Sequence, residues 1–156
     1  MKQTPPGWPR ISVALFYVDA KKAIDWLVRA FDFEVRLKVE GDDGSIVHSE
    51  LVYGEGVIMV ANSGGNKAHP EAANRDTSFQ KSPEVLGGAN TQSMMLYVDD
   101  AEAHCKRAKA AGARIATEMK TSDYGEEYWS DRGYEAVDPE GHHWWIMERL
   151  RNPKSK

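Results

Sequence analysis

The sequence predicts an α+β chain built from two copies of one βαβββ module, because two stretches recur in register and a third, unlike either, lies between the copies. Glu50-Leu51-Val52-Tyr53-Gly54-Glu55-Gly56-Val57-Ile58-Met59 aligns with Glu135-Ala136-Val137-Asp138-Pro139-Glu140-Gly141-His142-His143-Trp144 at an offset of 85 (135 − 50), with Glu, Val and Glu-Gly repeated. Phe16-Tyr17-Val18-Asp19 aligns with Leu96-Tyr97-Val98-Asp99 at an offset of 80 (99 − 19). A period near 80 is too long for a solenoid and suits a duplicated half-domain. The growth of the offset places a net five-residue insertion in the second copy, within residues 121–130.

The elements follow in order. Residues 11–18 (ISVALFYV) are apolar, β-branched and aromatic, the mark of a strand buried on both faces. Asp19 stands where an N-cap belongs, and Ala23, Ile24, Leu27, Ala30 and Phe31 then recur at helical spacing, with Trp26 widening the stripe. Residues 33–39 alternate Phe33, Val35, Leu37 and Val39 with charged neighbours, the period of a half-exposed strand. Gly41-Asp42-Asp43-Gly44 is a hairpin turn into a return strand over 46–53, and Gly54-Glu55-Gly56 turns the chain into a last strand over 57–61. Module one spans 9–62. Residues 63–89 are polar, contain Pro, and are bracketed by Gly64-Gly65 and Gly87-Gly88, the composition of a linker or lid whose Phe79, Val85 and Leu86 can dock on a neighbouring surface. Module two spans 90–150: a helix with Ala101, Cys105 and Ala108 that stops at Gly112, strands over 113–116, 134–137 and 143–147, and a turn-rich stretch over 124–130.

Composition bounds the function. A chain of 156 residues buries roughly two-thirds of its unfolded surface as one domain or two halves sharing a core. A formal charge of −4 gives no basic face for nucleic acid. One cysteine, Cys105, forbids an intrachain disulfide and suits a reducing cytoplasm; on a predicted helix it reads as a small apolar side chain. No signal-peptide core and no run of about 18 apolar residues supports export or membrane insertion. A P-loop, a Gly-x-Ser-x-Gly elbow and a His-Glu-x-x-His motif are all missing.

The order and spacing of Tyr17-Val18-Asp19, His48-Ser49-Glu50-Leu51, Tyr97-Val98-Asp99, the helix end 108–113 and the stretch 134–144 resemble the glyoxalase / bleomycin-resistance / extradiol-dioxygenase superfamily, the vicinal-oxygen-chelate fold, over about residues 9–149. The resemblance implies mostly antiparallel sheets curled around a shared cleft that a homodimer completes. It also implies one divalent metal held from the first and last strand of each module. Position by position these sites fall on Ser12, Val60, Gln92 and Trp145. Of these Gln92 alone can donate to a metal, and one neutral amide does not retain a divalent ion against water.

Other arrangements are open to the sequence. His48, Glu50 and His143 make a displaced metal set, or each is an ordinary polar strand residue. Glu50 and Glu135 are related by the duplication and are candidates for an acid–base pair, or each faces solvent. His69 and His104 are expected to be solvated. Trp129, Tyr134 and Trp145 make the cleft apolar and π-rich, apt for a planar or hydrophobic molecule, and core packing accounts for part of that set. Arg132 can pair an anion. The expected function is therefore cofactor-free binding of a small hydrophobic or aromatic molecule, of the resistance or sequestration type; the alternative is a glyoxalase-like lyase or isomerase using a shifted metal or a carboxylate base.

Overall fold

In the computed structural model, which describes residues 1–64 and 76–154, the two modules are present in the expected order. The first holds β1 (Val13–Tyr17), α1 (Ala20–Phe31), β2 (Glu34–Glu40), β3 (Ile46–Tyr53) and β4 (Gly56–Asn62). The second holds β5 (Met94–Tyr97), α2 (Ala101–Ala110), β6 (Arg114–Asp123), β7 (Ser130–Val137) and β8 (His143–Arg151). Each forms a four-stranded sheet, ordered β1-β4-β3-β2 and β5-β8-β7-β6. The first strand pairs parallel to the last, and the other pairs are antiparallel.

Helix α1 begins where Asp19 accepts a hydrogen bond from the Lys22 amide at 3.1 Å, and it ends at Asp32, whose left-handed φ of 65° stops the next turn. Its apolar stripe packs on the inner face of sheet one, where Leu15, Tyr17, Leu51 and Val60 are buried. Helix α2 does the same on sheet two, over Met94, Leu96, Tyr134, Trp144 and Ile146. The two helices pack against each other, and the inner faces of both sheets belong to one hydrophobic core. Trp144 contacts Phe31 and Phe33 edge-on at 5.3 and 5.8 Å between ring centroids, so module two's largest core side chain is wedged into module one.

Polar ties cross the same boundary. Tyr17 donates its hydroxyl proton to the buried Asp138 carboxylate at 2.6 Å, and Trp144 donates its indole N–H to the same oxygen at 3.2 Å. Burial opposes the Asp138 charge, but His142 and Tyr17 outweigh it and hold its pKa below the usual carboxylate range. Glu140 accepts from the Val18 and Asp19 amides at 2.6 and 2.8 Å and from the Ser82 hydroxyl at 2.6 Å. One carboxylate from module two thus caps the helix of module one.

The observed register corrects the repeat by one residue. Helix α2 is capped by Asp100, whose side chain accepts from the Ala103 amide at 2.9 Å, so the offset at the first strand is 81 (100 − 19) rather than 80. The turn between β3 and β4 has two residues, Gly54-Glu55, between paired Tyr53 and Gly56. Its counterpart has three, Pro139-Glu140-Gly141, closed by the Asp138 amide bonding to the His142 carbonyl at 3.0 Å. The offset is therefore 85 before that turn and 86 after it. A one-residue slip exchanges the two faces of a strand, so Tyr17 is 0% exposed and Tyr97 46% exposed, although the two look alike in sequence.

Three further expectations change. The strand beginning near Phe33 forms but does not alternate as read: β2 is the sheet's edge, its register shifts between Val35 and Leu37, and all its residues are exposed, Val35, Leu37 and Val39 at 42–43%. His104 is not solvated: it is buried between α2 and sheet two, and its Nδ1 lies 2.8 Å from the Tyr134 hydroxyl. Of the segment between the modules, residues 65–75, including His69, lie outside the described residues. Its later part carries a short 3₁₀ turn, Pro83–Leu86, with Ser82 and Pro83 buried, while Phe79, Val85 and Leu86 remain exposed.

Candidate functional site

Because the inner faces share the core, the other face of each sheet is turned away from it and forms an open surface. Cross-strand register defines the central row of each. In sheet one the row is Ala14, Met59, Glu50 and Leu37; in sheet two it is Met95, Trp145, Glu135 and Thr117. The equivalence of Glu50 and Glu135 read from the sequence therefore holds in space. Each sits at the same point of its own sheet.

The two carboxylates are differently furnished. Glu50 accepts from Arg36 Nε at 2.8 Å and lies 3.2 Å from His48 Nε2; bonding to His48 first, then to Arg36, lowers its pKa despite some burial. Glu135 accepts from Thr117 Oγ1 at 2.9 Å and from His143 Nδ1 at 2.6 Å. Burial raises the Glu135 pKa, but those two bonds outweigh it and keep the group ionised. A catalytic carboxylate pair would need a shared proton and one raised pKa. Glu50 and Glu135 instead lie on separate sheets with separate partners, and both are shifted down. His48, Glu50 and His143 are divided between the two sheets in the same way, and no cluster of three metal-binding side chains occurs among the described residues.

Around Trp145 the open face of sheet two is apolar and aromatic. Met95 lies directly across from it, with Tyr97 and Met147 as the next pair. Gly133 faces Met147, and a Cβ there would fall 2.5 Å from the Met147 sulfur and 2.4 Å from the Ile146 carbonyl oxygen. At the rim Arg149 stacks over Tyr97 and Trp129, 5.3 and 5.7 Å from the ring centroids, and pairs with Asp131. Beside Met95 a crevice of about 380 Å³ runs between the modules, lined by Ser12, Gln92, Phe33, Tyr53, Met94 and Trp144 among others.

The residues expected at the site are thus sorted. Trp145 and His143 share the open face, and Ser12 and Gln92 line the adjoining crevice. Val60 and Tyr134 point the other way, fully buried in the core; Tyr134 bonds to His104, and burial pushes its phenol well up. Arg132 is bound to Glu148 at 2.9 Å and Glu102 at 2.6 Å and has no free fork for an anion. Met95, Thr117, Met59 and Ser93 were missed. The Asp99-Asp100 pair was the available signal, since counting from Asp100 reaches Ser93 and places Met95 on the open face.

Sequence comparison decides the family. The profile of the glyoxalase/bleomycin resistance protein/dioxygenase superfamily matches residues 11–146. The chain belongs to this superfamily. An uncharacterized protein of Mycobacterium bovis is 32% identical over 143 residues, covering 92% of this chain and 85% of the relative, and one of Mycobacterium tuberculosis is 32% identical with 92% and 76% covered. Among solved structures, TioX from Micromonospora sp. ML1 has a TM-score of 0.66 at 30% identity, covering 91% of this chain and 99% of that one. TnmS3, an antibiotic binding protein from Streptomyces sp. CB03234, shares the fold at a TM-score of 0.57 and 16% identity, with 88% and 93% covered.

Superfamily membership raises the question of a metal, and the corrected register answers it with four positions: Ser12, Met59, Ser93 and Trp145. The hydroxyl of Ser12 is spent on the Val57 carbonyl, Met59 offers a soft thioether, Ser93 a neutral hydroxyl and Trp145 no donor atom at all. This set does not fit a hard or borderline divalent ion.

Proposed function

We propose that the protein binds a small hydrophobic or aromatic molecule, metal-free and without turnover, against the open face of sheet two and in the crevice beside it, with a second copy of the chain closing the site. The observation that carries this reading is the substitution at the centre of the face: where the superfamily's chelating residues would stand, this chain presents Trp145 flanked by Met95. An indole and a thioether offer area for stacking and dispersion rather than coordination. That TnmS3 is an antibiotic-binding protein illustrates a fold able to carry such a role.

The case for a second copy rests on exposed apolar surface. Met95 and Tyr97 on one open face, and Val35, Leu37 and Val39 along the edge of the other sheet, are left uncovered within one chain. A two-fold axis that sets the module-one face of one copy over the module-two face of its partner covers both.

The test is a titration of the purified protein with planar aromatic compounds, read by tryptophan fluorescence with and without added divalent metal, alongside light scattering. Saturable binding indifferent to metal, unchanged ligand after incubation and a mass near twice 17.5 kDa are expected. A stoichiometric retained metal, or metal-dependent conversion of the ligand, overturns the reading in favour of a glyoxalase-like lyase or isomerase.

A further inference from the structure

The polar furniture beside Trp145 narrows the ligand class, on the reading that this face binds an aromatic molecule. His143 lies two residues from Trp145 on the same strand and face, which sets their Cα atoms roughly 7 Å apart. The ring's orientation is fixed from behind. Glu135 takes one proton donor at each oxygen, Thr117 at 2.9 Å and His143 Nδ1 at 2.6 Å. An ionised carboxylate only accepts, so the Nδ1 atom carries the proton, and in the Nδ1–H tautomer the ring's lone pair is on Nε2. That atom has no hydrogen-bond partner among the described residues, and the side chain is 33% exposed.

An acceptor at the edge of an indole and thioether plate selects for a donor in the plane of an aromatic ring. The neighbouring charges refine the choice. A carboxylate on the ligand would meet Glu135; of the guanidinium groups on this face, Arg149 is committed to Asp131, and Arg114 stands across Val137 from His143, close enough to Glu135 to help hold its pKa down. A phenolic O–H, a stronger donor than an aniline N–H and uncharged on arrival, meets both requirements. We infer that the site takes a planar phenol, its ring on Trp145 and Met95 and its hydroxyl donating to His143 Nε2, with Glu135 and Thr117 as positioning residues.

The contrast with sheet one supports the assignment. There His48 turns Nε2 itself to Glu50, and the central row offers Ala14 and Met59 where sheet two has Met95 and Trp145. The same carboxylate position serves an internal ion cluster with Arg36.

The deciding experiment compares 2-naphthol with 2-methoxynaphthalene, which has the same ring and no donor, against the full chain by tryptophan fluorescence. The naphthol is expected to bind at least tenfold more tightly, and His143→Leu to abolish that preference. A measurement on the unaltered protein runs beside it: carbethoxylation of His143, followed by peptide mass mapping, is expected to slow with bound naphthol and not with the ether. Equal affinity of the unaltered protein for the two compounds, a preference that survives His143→Leu, or unprotected His143 overturns the phenol assignment and leaves the binding proposal standing. Failure of both compounds to bind at millimolar concentration removes the binding proposal and this assignment with it.

Discussion

The two modules hold the same strand order and the same central carboxylate, yet they surround that carboxylate differently. In module one Glu50 is neutralised by Arg36 and its row is aliphatic; in module two Glu135 leans on neutral Thr117, aims a histidine outward and stands beside Trp145. Duplication fixed where a side chain stands, and later substitution decided what stands there. The inner faces diverged in parallel: the position of Ile58 in module one is filled by Trp144 in module two, since Val13 pairs with Ile58 as Met94 pairs with Trp144.

That inner asymmetry gives the largest expected effect. Trp144→Ala should cost about 3–5 kcal/mol in chemical denaturation, because the indole is fully buried against both modules, whereas Ile58→Ala should cost less than about 2 kcal/mol at its half-buried site. Equal losses would mean that the two modules share the core evenly.

Asp138 comes next, a buried carboxylate with no counterpart in module one, where Tyr53 occupies the position. Asp138→Asn should cost about 1–3 kcal/mol at neutral pH through weakened bonds to Tyr17 and Trp144. The sign with pH follows from its depressed folded pKa: the stabilisation is fully present above the ordinary carboxylate value, about 3.9, and is lost as pH falls through the lower folded value. Denaturation series between neutral pH and pH 2 should show the acid limb shallower in Asp138→Asn. An unchanged limb would assign the acid sensitivity to other carboxylates.

The smallest difference concerns the helix caps. Helix α1 is capped across the module boundary by Glu140, and α2 within its own module by Glu148, whose carboxylate accepts from the Ala101 amide at 2.9 Å. Glu140→Gln should lower stability by about 0.5–1 kcal/mol and hasten hydrogen exchange at the start of α1. Glu148→Gln should hasten exchange at α2 alone. Exchange spreading to both helices in either variant would show that the caps act as one unit.

Local chemistry accounts for what was legible. The limits of α1 follow from Asp19 and a strong helical period, and β3 and the start of β8 follow from turn glycines and apolar runs. The site was read one residue out at Val60 and Gln92 because Tyr-Val-Asp repeats as letters while the fold uses the second of two adjacent aspartates as the cap, and because one turn is a residue longer. The composition of α2, with Glu102, Lys106, Arg107 and Lys109, hid the burial of His104. No local pattern reveals that Glu140 reaches another module's helix, or that Arg132 is already engaged. Those are facts of assembly.

Gly133 carries a consequence for how the halves drifted apart. Its module-one counterpart is His48, and the partner across the strand changes in the opposite sense, from Ala61 to Met147: large beside small in one half, small beside large in the other. A bulky residue at 133 collides with the Met147 sulfur and the Ile146 backbone carbonyl. Shortening Met147 would remove the first obstacle and leave the second, because the Ile146 carbonyl belongs to the backbone whatever side chain stands at 147. The difference between the halves at this pair is thus held by the main chain of β8 as well as by a side chain, and no substitution at 147 alone reopens position 133 to a bulkier residue.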